Sequence, residues 1–420
     1  MKWLDFLAAM KTNSGKVNRG SKYSSDSEAL AILGRFRRGR RLILWAIELI
    51  LVPIVRYFDK TIPISLNEVE SILVLEPGQL GDILLLVPFF RSLRSRFPTA
   101  HIAVLGRSSV QSLLLEQNLA DELIPLRVPW AEYASRWKKY NFFRPVWSVF
   151  LLGLIALRRR SFDLAFVAGQ GDLRYNAAIW LTGTRRRVGY GFAGGAVFLT
   201  DVVSPDLAHP HKTDLCLQLL RNLGIPTLRE DRLIHVPAED QESATKFLSE
   251  HGITREDLLI GVHAGARMAV RQWGDDRFQE VARQIRSRFG AKMLWFTDPA
   301  QSMSIDEGCN MIPVCLPLPQ FLAVLSQCRL LVCNDSGPMH MAAGLGVSTV
   351  AIYGPTQPEW FSALGKEHQI VIRRDVWCRP CADRCIFDEP YCLRLISVDQ
   401  VMEAVTEVIG NISLSRRAWS

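Results

Sequence analysis

The sequence lacks a segment long and apolar enough to cross a bilayer, which needs about 20 consecutive apolar residues. The apolar run Leu42 to Val55 falls short of that and carries Glu48 in its middle. A cleavable leader is not expected either. The first residues, with Lys2, Asp5 and Lys11, hold neither a sustained apolar core nor a small-residue cleavage site, so the chain is expected to stay in the cytoplasm. There is no helix-turn-helix spacing, RNA-binding strand signature or zinc-finger pattern, and nucleic acid is not an expected partner. Short internal repeats and long low-complexity tracts are absent, which sets aside solenoids and largely disordered chains.

What is present is the composition of a folded protein of two or three domains: 420 residues, 48% hydrophobic and 22% charged,. Lys and Arg exceed Asp and Glu by 50 to 42, and the excess is clustered. Arg35, Arg37, Arg38, Arg40 and Arg41 precede the apolar run, and Arg158 to Arg160 and Arg185 to Arg187 form two further patches. Such clusters favour an anionic partner, a lipid surface or a phosphorylated substrate. Five of the nine cysteines (Cys216, Cys309, Cys315, Cys328, Cys333) are scattered and read as buried small apolar residues in a reducing compartment,.

Residues 1–66 read as an extension, a polar arm followed by the basic-apolar segment. Two α/β series follow, at 67–225 and 226–420. The first has strand candidates at Ser71 to Leu75, His101 to Leu105 and Asp163 to Val167, with a helix from Ile83 to Phe97,. The second has strands at Leu259 to His263, Lys292 to Phe296, Leu330 to Cys333 and Thr349 to Tyr353, after a helix near Ser243 to His251. Strand and helix alternating in this way predict two doubly wound parallel sheets, with ligands at the carboxyl ends of strands facing a cleft.

The stretch Cys333-Asn-Asp-Ser-Gly-Pro-Met-His340 points to phosphate. Ser336 or Gly337 would cap a helix after the strand, and Pro338 suits a first turn that needs no donor. Unpaired N–H groups there would face a diphosphate, with a second turn, Gly354-Pro355-Thr356, closing beside them. A plain β-to-α turn that binds nothing is the alternative. Asp82, after Gly78-Gln-Leu-Gly81, reads from spacing as a helix cap, or as a carboxylate facing the cleft. Arg271 is a diphosphate ligand or a solvated surface arginine, and His340 a nucleotide contact or a core histidine. Cys378, Cys381, Cys385 and Cys392 have the spacing of a four-thiolate site, for a structural zinc or iron ion, or else are a loop of reduced thiols.

Six ordered motifs resemble the heptosyltransferases of glycosyltransferase family 9, over residues from about 69 to 410. They are Gly78 to Asp82 with Pro88 and Arg91 to Arg94; Arg187 to Tyr190; His209 to Leu223; Arg271 to Trp273; Asp335 to His340; and Gly354 to Thr356. The resemblance implies a GT-B fold of two Rossmann-like domains and inversion at the anomeric carbon. It also implies an ADP-heptose donor and a lipopolysaccharide-type or lipid-linked acceptor, with no cofactor or metal required for catalysis. Asp82 then corresponds to the general base, with Gly81, Arg271, Asp335, Ser336, Gly337, His340, Gly354 and Thr356 about the substrates. The sequence departs from the family where Arg271 replaces a usual lysine, where Gly274 replaces a proline, and near Gln301, where relatives carry a ribose-binding glutamate. A GT-B transferase using another nucleotide sugar and a non-catalytic nucleotide-sugar-binding protein are the alternatives. With a lipid-linked acceptor and arginines beside the apolar run, the chain is expected on the anionic inner face of the cytoplasmic membrane.

Overall fold

The computed structural model describes residues 50–55, 57–59, 64–106, 113–125, 145–169, 171–192, 194–206, 208–229, 233–297, 310–365, 368–373, 375–381, 383 and 385–417. The five arginines at 35–41, Cys309 and Gln301 lie outside them.

Six parallel strands form the first sheet: β1 (Ser71–Glu76), β2 (His101–Gly106), β3 (Glu122–Pro125), β4 (Leu164–Val167), β5 (Arg186–Tyr190) and β6 (Asp201–Val203). The second sheet holds β7 (Leu259–His263), β8 (Lys292–Phe296), β9 (Ile312–Val314), β10 (Leu330–Asn334), β11 (Ser348–Tyr353) and β12 (His368–Ile372), again parallel. Their spatial orders are β3-β2-β1-β4-β5-β6 and β12-β11-β10-β7-β8-β9. Counted from the first strand of each half, the two orders are the same, read from opposite edges. Each sheet therefore reverses direction once, between β1 and β4 and between β7 and β10, and a crevice opens at the carboxyl ends of those strands.

The central strands are apolar throughout because both faces of each sheet are covered. Ile72 and Val74 face one core while Leu73 and Leu75 face another on the opposite side, and all four are fully buried. Edge strands β3, β6, β9 and β12 escaped the sequence reading because they are short, or mix polar residues that edges tolerate. Strand β5 escaped because it opens with two arginines.

The predicted helix from Ile83 to Phe97 is two helices, Leu80–Leu85 and Val87–Arg96, meeting at Leu86. Pro88 has no N–H to give to the preceding turn, so the first helix ends and a second begins with the proline in its first turn. Leu84, fully buried, packs in the core of the second half beside Met339 and Met341. Cys216, Cys328 and Cys333 are buried as expected, but Cys315 is exposed, because it follows the short edge strand β9 where the chain leaves the sheet.

The connection between the halves is tied to both. Leu233 N and Ile234 N donate to Gly344 O at 2.8 and 3.0 Å. His235 N donates to Gln117 Oε1 at 3.0 Å, and Gln117 Nε2 returns a bond to His235 O at 2.9 Å.

Candidate active site

Strand β1 ends at Glu76, whose side chain is buried where the chain turns through Pro77, Gly78 and Gln79 into the helix Leu80–Leu85. Glu76 Oε1 accepts from Gly78 N at 2.8 Å. Gly78 is required by space: a Cβ there would lie 2.5 Å from Glu76 Oε1 and 2.6 Å from Asp82 Oδ2. Asp82 is the third helical residue rather than the residue before the helix, and its Oδ2 accepts from Gln79 N at 2.8 Å. It satisfies an orphan donor of the first turn from inside the helix. Its other oxygen, Oδ1, is free of that duty and meets Lys212 Nζ at 2.8 Å.

Lys212 opens the helix Lys212–Arg221 and also reaches Glu76 Oε2 at 3.1 Å. One ammonium thus serves two carboxylates. Burial pushes both acids up. For Glu76 burial prevails and its carboxyl titrates above the usual range, whereas for Asp82 the adjacent Lys212 outweighs it and holds the group below. Lys212 itself is destabilised as a cation by burial, but Asp82 and Glu76 more than restore it, so it stays protonated,. Neither Glu76 nor Lys212 was singled out from sequence, although Lys212 lies within the His209 to Leu223 motif.

Across the cleft, β10 ends at Asn334. Its amide donates to Ala264 O at 2.6 Å and accepts from Trp273 N at 3.2 Å, locking together the loops after β10 and β7. Ser336, extended, is the N-cap of the helix Gly337–Leu345, with proline in its first turn. The Ser336 hydroxyl donates to Asn334 O at 3.2 Å and makes no cap bond to the helix, so the N-cap side chain fills none of the first-turn N–H groups. Such an end attracts anions. Asp335 is buried, accepts from the Thr356 hydroxyl and lies 3.2 Å from Arg271 Nη1. Burial raises its carboxyl despite the arginine. A Cβ on Gly354 would press on the Leu393 side chain at 3.0 Å, so any side chain there needs Leu393 to give way.

Arg271 is not a bare cation. Its Nε and Nη2 each donate to Asp383 at 2.7 Å, a bidentate pair,. Burial works against its charge, and Asp383 and Asp335 overcome that. Asp383 was missed in the sequence because it lies 112 positions away.

The two halves meet where their site helices touch. A Cβ on Gly81 would lie 2.6 Å from His340 Cδ2, so the backbone beside Asp82 rests on the imidazole of the second half. His340 is buried and its Nδ1 has no hydrogen-bond partner among the described residues. Burial drops its pKa to about 3, leaving a neutral ring. Near by, His211 Nε2 meets Ser362 O at 2.9 Å and Thr213 Oγ1 donates to Leu85 O at 2.8 Å. The structure therefore brings Gly81, Asp82 and His340 together, and groups Arg271, Asp335 and Thr356 beyond them.

A sequence model of glycosyltransferase family 9 (heptosyltransferase) matches residues 154–391, more than half of the chain. The chain belongs to glycosyltransferase family 9. Lipopolysaccharide heptosyltransferase 2 of Escherichia coli (strain K12) is 24% identical over 320 residues, 72% of this chain and 87% of that protein. Among solved structures, the family 9 glycosyl transferase from Veillonella parvula superposes with a TM-score of 0.62 at 24% identity, covering 81% of this chain and 97% of the other. The E. coli ADP-heptose lps heptosyltransferase II gives 0.60 at 20% identity, covering 82% and 99%. The shared fold is GT-B, two facing Rossmann-like halves.

In this family 9 glycosyltransferase the motif residue Arg187 belongs to the scaffold. It is 1% exposed, donates to Thr184 O and Phe198 O at 2.6 and 2.7 Å, and pairs with Asp59. Of the clustered thiols, Cys392 is buried and its ionisation is suppressed by burial, with Cys378 and Cys385 close enough to add to the effect. No three His, Cys, Asp or Glu side chains among the described residues are placed to hold one metal ion. The thiols as arranged thus do not form a ready ligand set.

Proposed function

We propose that the enzyme transfers heptose from ADP-heptose to a lipopolysaccharide-type or lipid-linked acceptor, with inversion, at the cytoplasmic face of an anionic membrane. The observation that carries the reading is the contact of Gly81 with His340. It sets a carboxylate of the first half beside the phosphate-suited helix end of the second. The name of the E. coli relative, an ADP-heptose enzyme, supports the donor and acceptor.

In the reaction the acceptor oxygen bonds to the anomeric carbon as the bond to the diphosphate oxygen breaks, and that electron pair leaves with the diphosphate. Asp82 takes the acceptor proton on Oδ1, while Oδ2 stays on Gln79 N and fixes the carboxylate's orientation. The first turn of Gly337–Leu345 stabilises charge gathering on the leaving group, with Arg271 beside it, oriented by Asp383. Ser336, Gly337, Gly354 and Thr356 shape the bed for the nucleotide.

Two variants test this. Asp82→Asn retains size but cannot accept the proton, so donor affinity should survive while turnover falls by roughly 10²–10⁴-fold. Arg271→Ala should weaken binding of ADP as well as turnover. A folded Asp82→Asn enzyme transferring sugar at the wild-type rate would make the aspartate a helix-end ligand only.

A structural zinc or iron ion at Cys378, Cys381, Cys385 and Cys392 is a separate proposal, supported by their spacing and by the approach of Cys378 and Cys385 to Cys392,. It requires the loop to close further than it does here. Elemental analysis of the purified protein tests it, and a content near zero removes it.

A further inference from the structure

The helix Pro145–Leu157 contains no charged residue, and three consecutive arginines, Arg158 to Arg160, follow it directly. One side of it is ordinary core: Phe150, Leu154 and Leu157 pack under the first sheet with Leu73, Leu75 and Phe162. A helix lying on a protein surface should turn polar residues to water on its other side. This one does not. Leu151, Leu152 and Ile155 are 41%, 65% and 50% exposed, with Gly153 and Ala156 exposed between them.

A second apolar group, from a distant part of the chain, reaches the same turn. Tyr57 and Phe58 are 75% and 63% exposed, and Ile50 and Ile54 are exposed before them. Asp59, next in sequence, pairs with Arg187, which donates to Thr184 O. One residue earlier in that turn, a Cβ on Gly183 would lie 3.2 Å from Arg158 Nε. Both apolar segments therefore end beside residues 183–187.

Among the described residues, the charges there that no ion pair compensates are of one kind. Arg158 and Arg159 are exposed, and neither is in an ion pair among the described residues, while Arg160 and Arg185 are engaged by Glu122 and Asp163. Exposed apolar side chains rimmed by uncompensated arginines match the chemistry of an anionic bilayer surface, with acyl chains beneath a layer of phosphate. An apolar protein partner would not need the arginines.

We propose that the outer face of the helix Pro145–Leu157, with Arg158 and Arg159 and the exposed Ile50, Ile54, Tyr57 and Phe58, docks the enzyme on an anionic phospholipid bilayer. The inference rests on the lipid-linked acceptor proposed above and names the surface that would bring the first half to it. Leu151, Leu152 and Ile155 enter the interfacial layer, and the two arginines meet lipid phosphates.

The test is co-sedimentation of the full chain with vesicles of phosphatidylcholine alone and of phosphatidylcholine with phosphatidylglycerol. Wild type should prefer the anionic vesicles. Leu152→Asp/Ile155→Asp and Arg158→Glu/Arg159→Glu should each lower the partition coefficient by at least about tenfold, with the thermal midpoint unchanged because all four side chains are exposed. Unchanged binding by both variants overturns the proposal, as does equal binding of wild type to both kinds of vesicle. Wild-type dimers in sedimentation velocity that the apolar variant dissociates, without vesicle binding, also overturn it and assign the face to self-association. Transfer to a delipidated, water-soluble acceptor separates the two readings. Docking variants that keep this activity leave the transferase reading intact, and a wild type that docks without transferring defeats the transferase reading alone.

Discussion

Lys212 lies 2.8 Å from Asp82 and 3.1 Å from Glu76, and this sharing bears on how strong a base Asp82 would be in the proposed reaction. A carboxylate held tightly by one ammonium is easily ionised and accepts a proton poorly. Glu76 draws part of that ammonium's field away and adds a like charge near by. The sign follows. As the proposed base, Asp82 works when deprotonated, so activity should be present above its pKa and lost as pH falls through it,. Glu76→Gln gives Lys212 to Asp82 alone and should move the acidic limb of the kcat/KM profile to lower pH. Turnover at neutral pH should fall by roughly threefold to tenfold, since a weaker base transfers the proton less readily. A pH–rate series on the variant checks this, and an unmoved limb would make Glu76 a buried packing partner of Gly78 and nothing more.

At the scale of elements, the decisive contact is one helix resting on another. Alanine at position 81 is a good helix former, but its Cβ would stand 2.6 Å from His340 Cδ2. The two site helices would have to part, and a misplacement on the order of 1 Å can cost about 10²-fold in rate. Gly81→Ala should therefore lose kcat/KM on that order. Removing the imidazole in Gly81→Ala/His340→Ala should return part of it, a rescue that loss of helix stability would not allow. Steady-state kinetics on both variants decides the matter.

Elements of this kind were partly legible in the sequence. The strands Leu259–His263 and Lys292–Phe296 stand where their apolar runs placed them, because a buried parallel strand leaves an uninterrupted signature,. The loops at Gly78 to Asp82 and Asp335 to His340 announced themselves through glycine, proline and acid at strand ends. Lys212 and Asp383 did not, since each acquires its role by approaching a partner 130 or 112 positions away. No local period records such a meeting. Even the break at Leu86 needed only Pro88 to be seen, yet the apolar pattern ran through it and hid it.

For the whole molecule, twin sheets of the same strand order place Asp82, the proposed base, and the first turn of Gly337–Leu345 on opposite walls, each at its own sheet's reversal. The link between the walls is not slack. Leu233 and Ile234 give both their amide protons to Gly344, near the far end of the helix whose first turn faces the cleft, and His235 is doubly bonded to Gln117 of the other half. A sugar nucleotide settling on that helix, as proposed, should alter the opening of these few amides without touching them. Their rate of exchange with deuterated solvent should then slow when ADP is added, a gauge of occupancy readable from a stretch of chain that takes no proposed part in the chemistry.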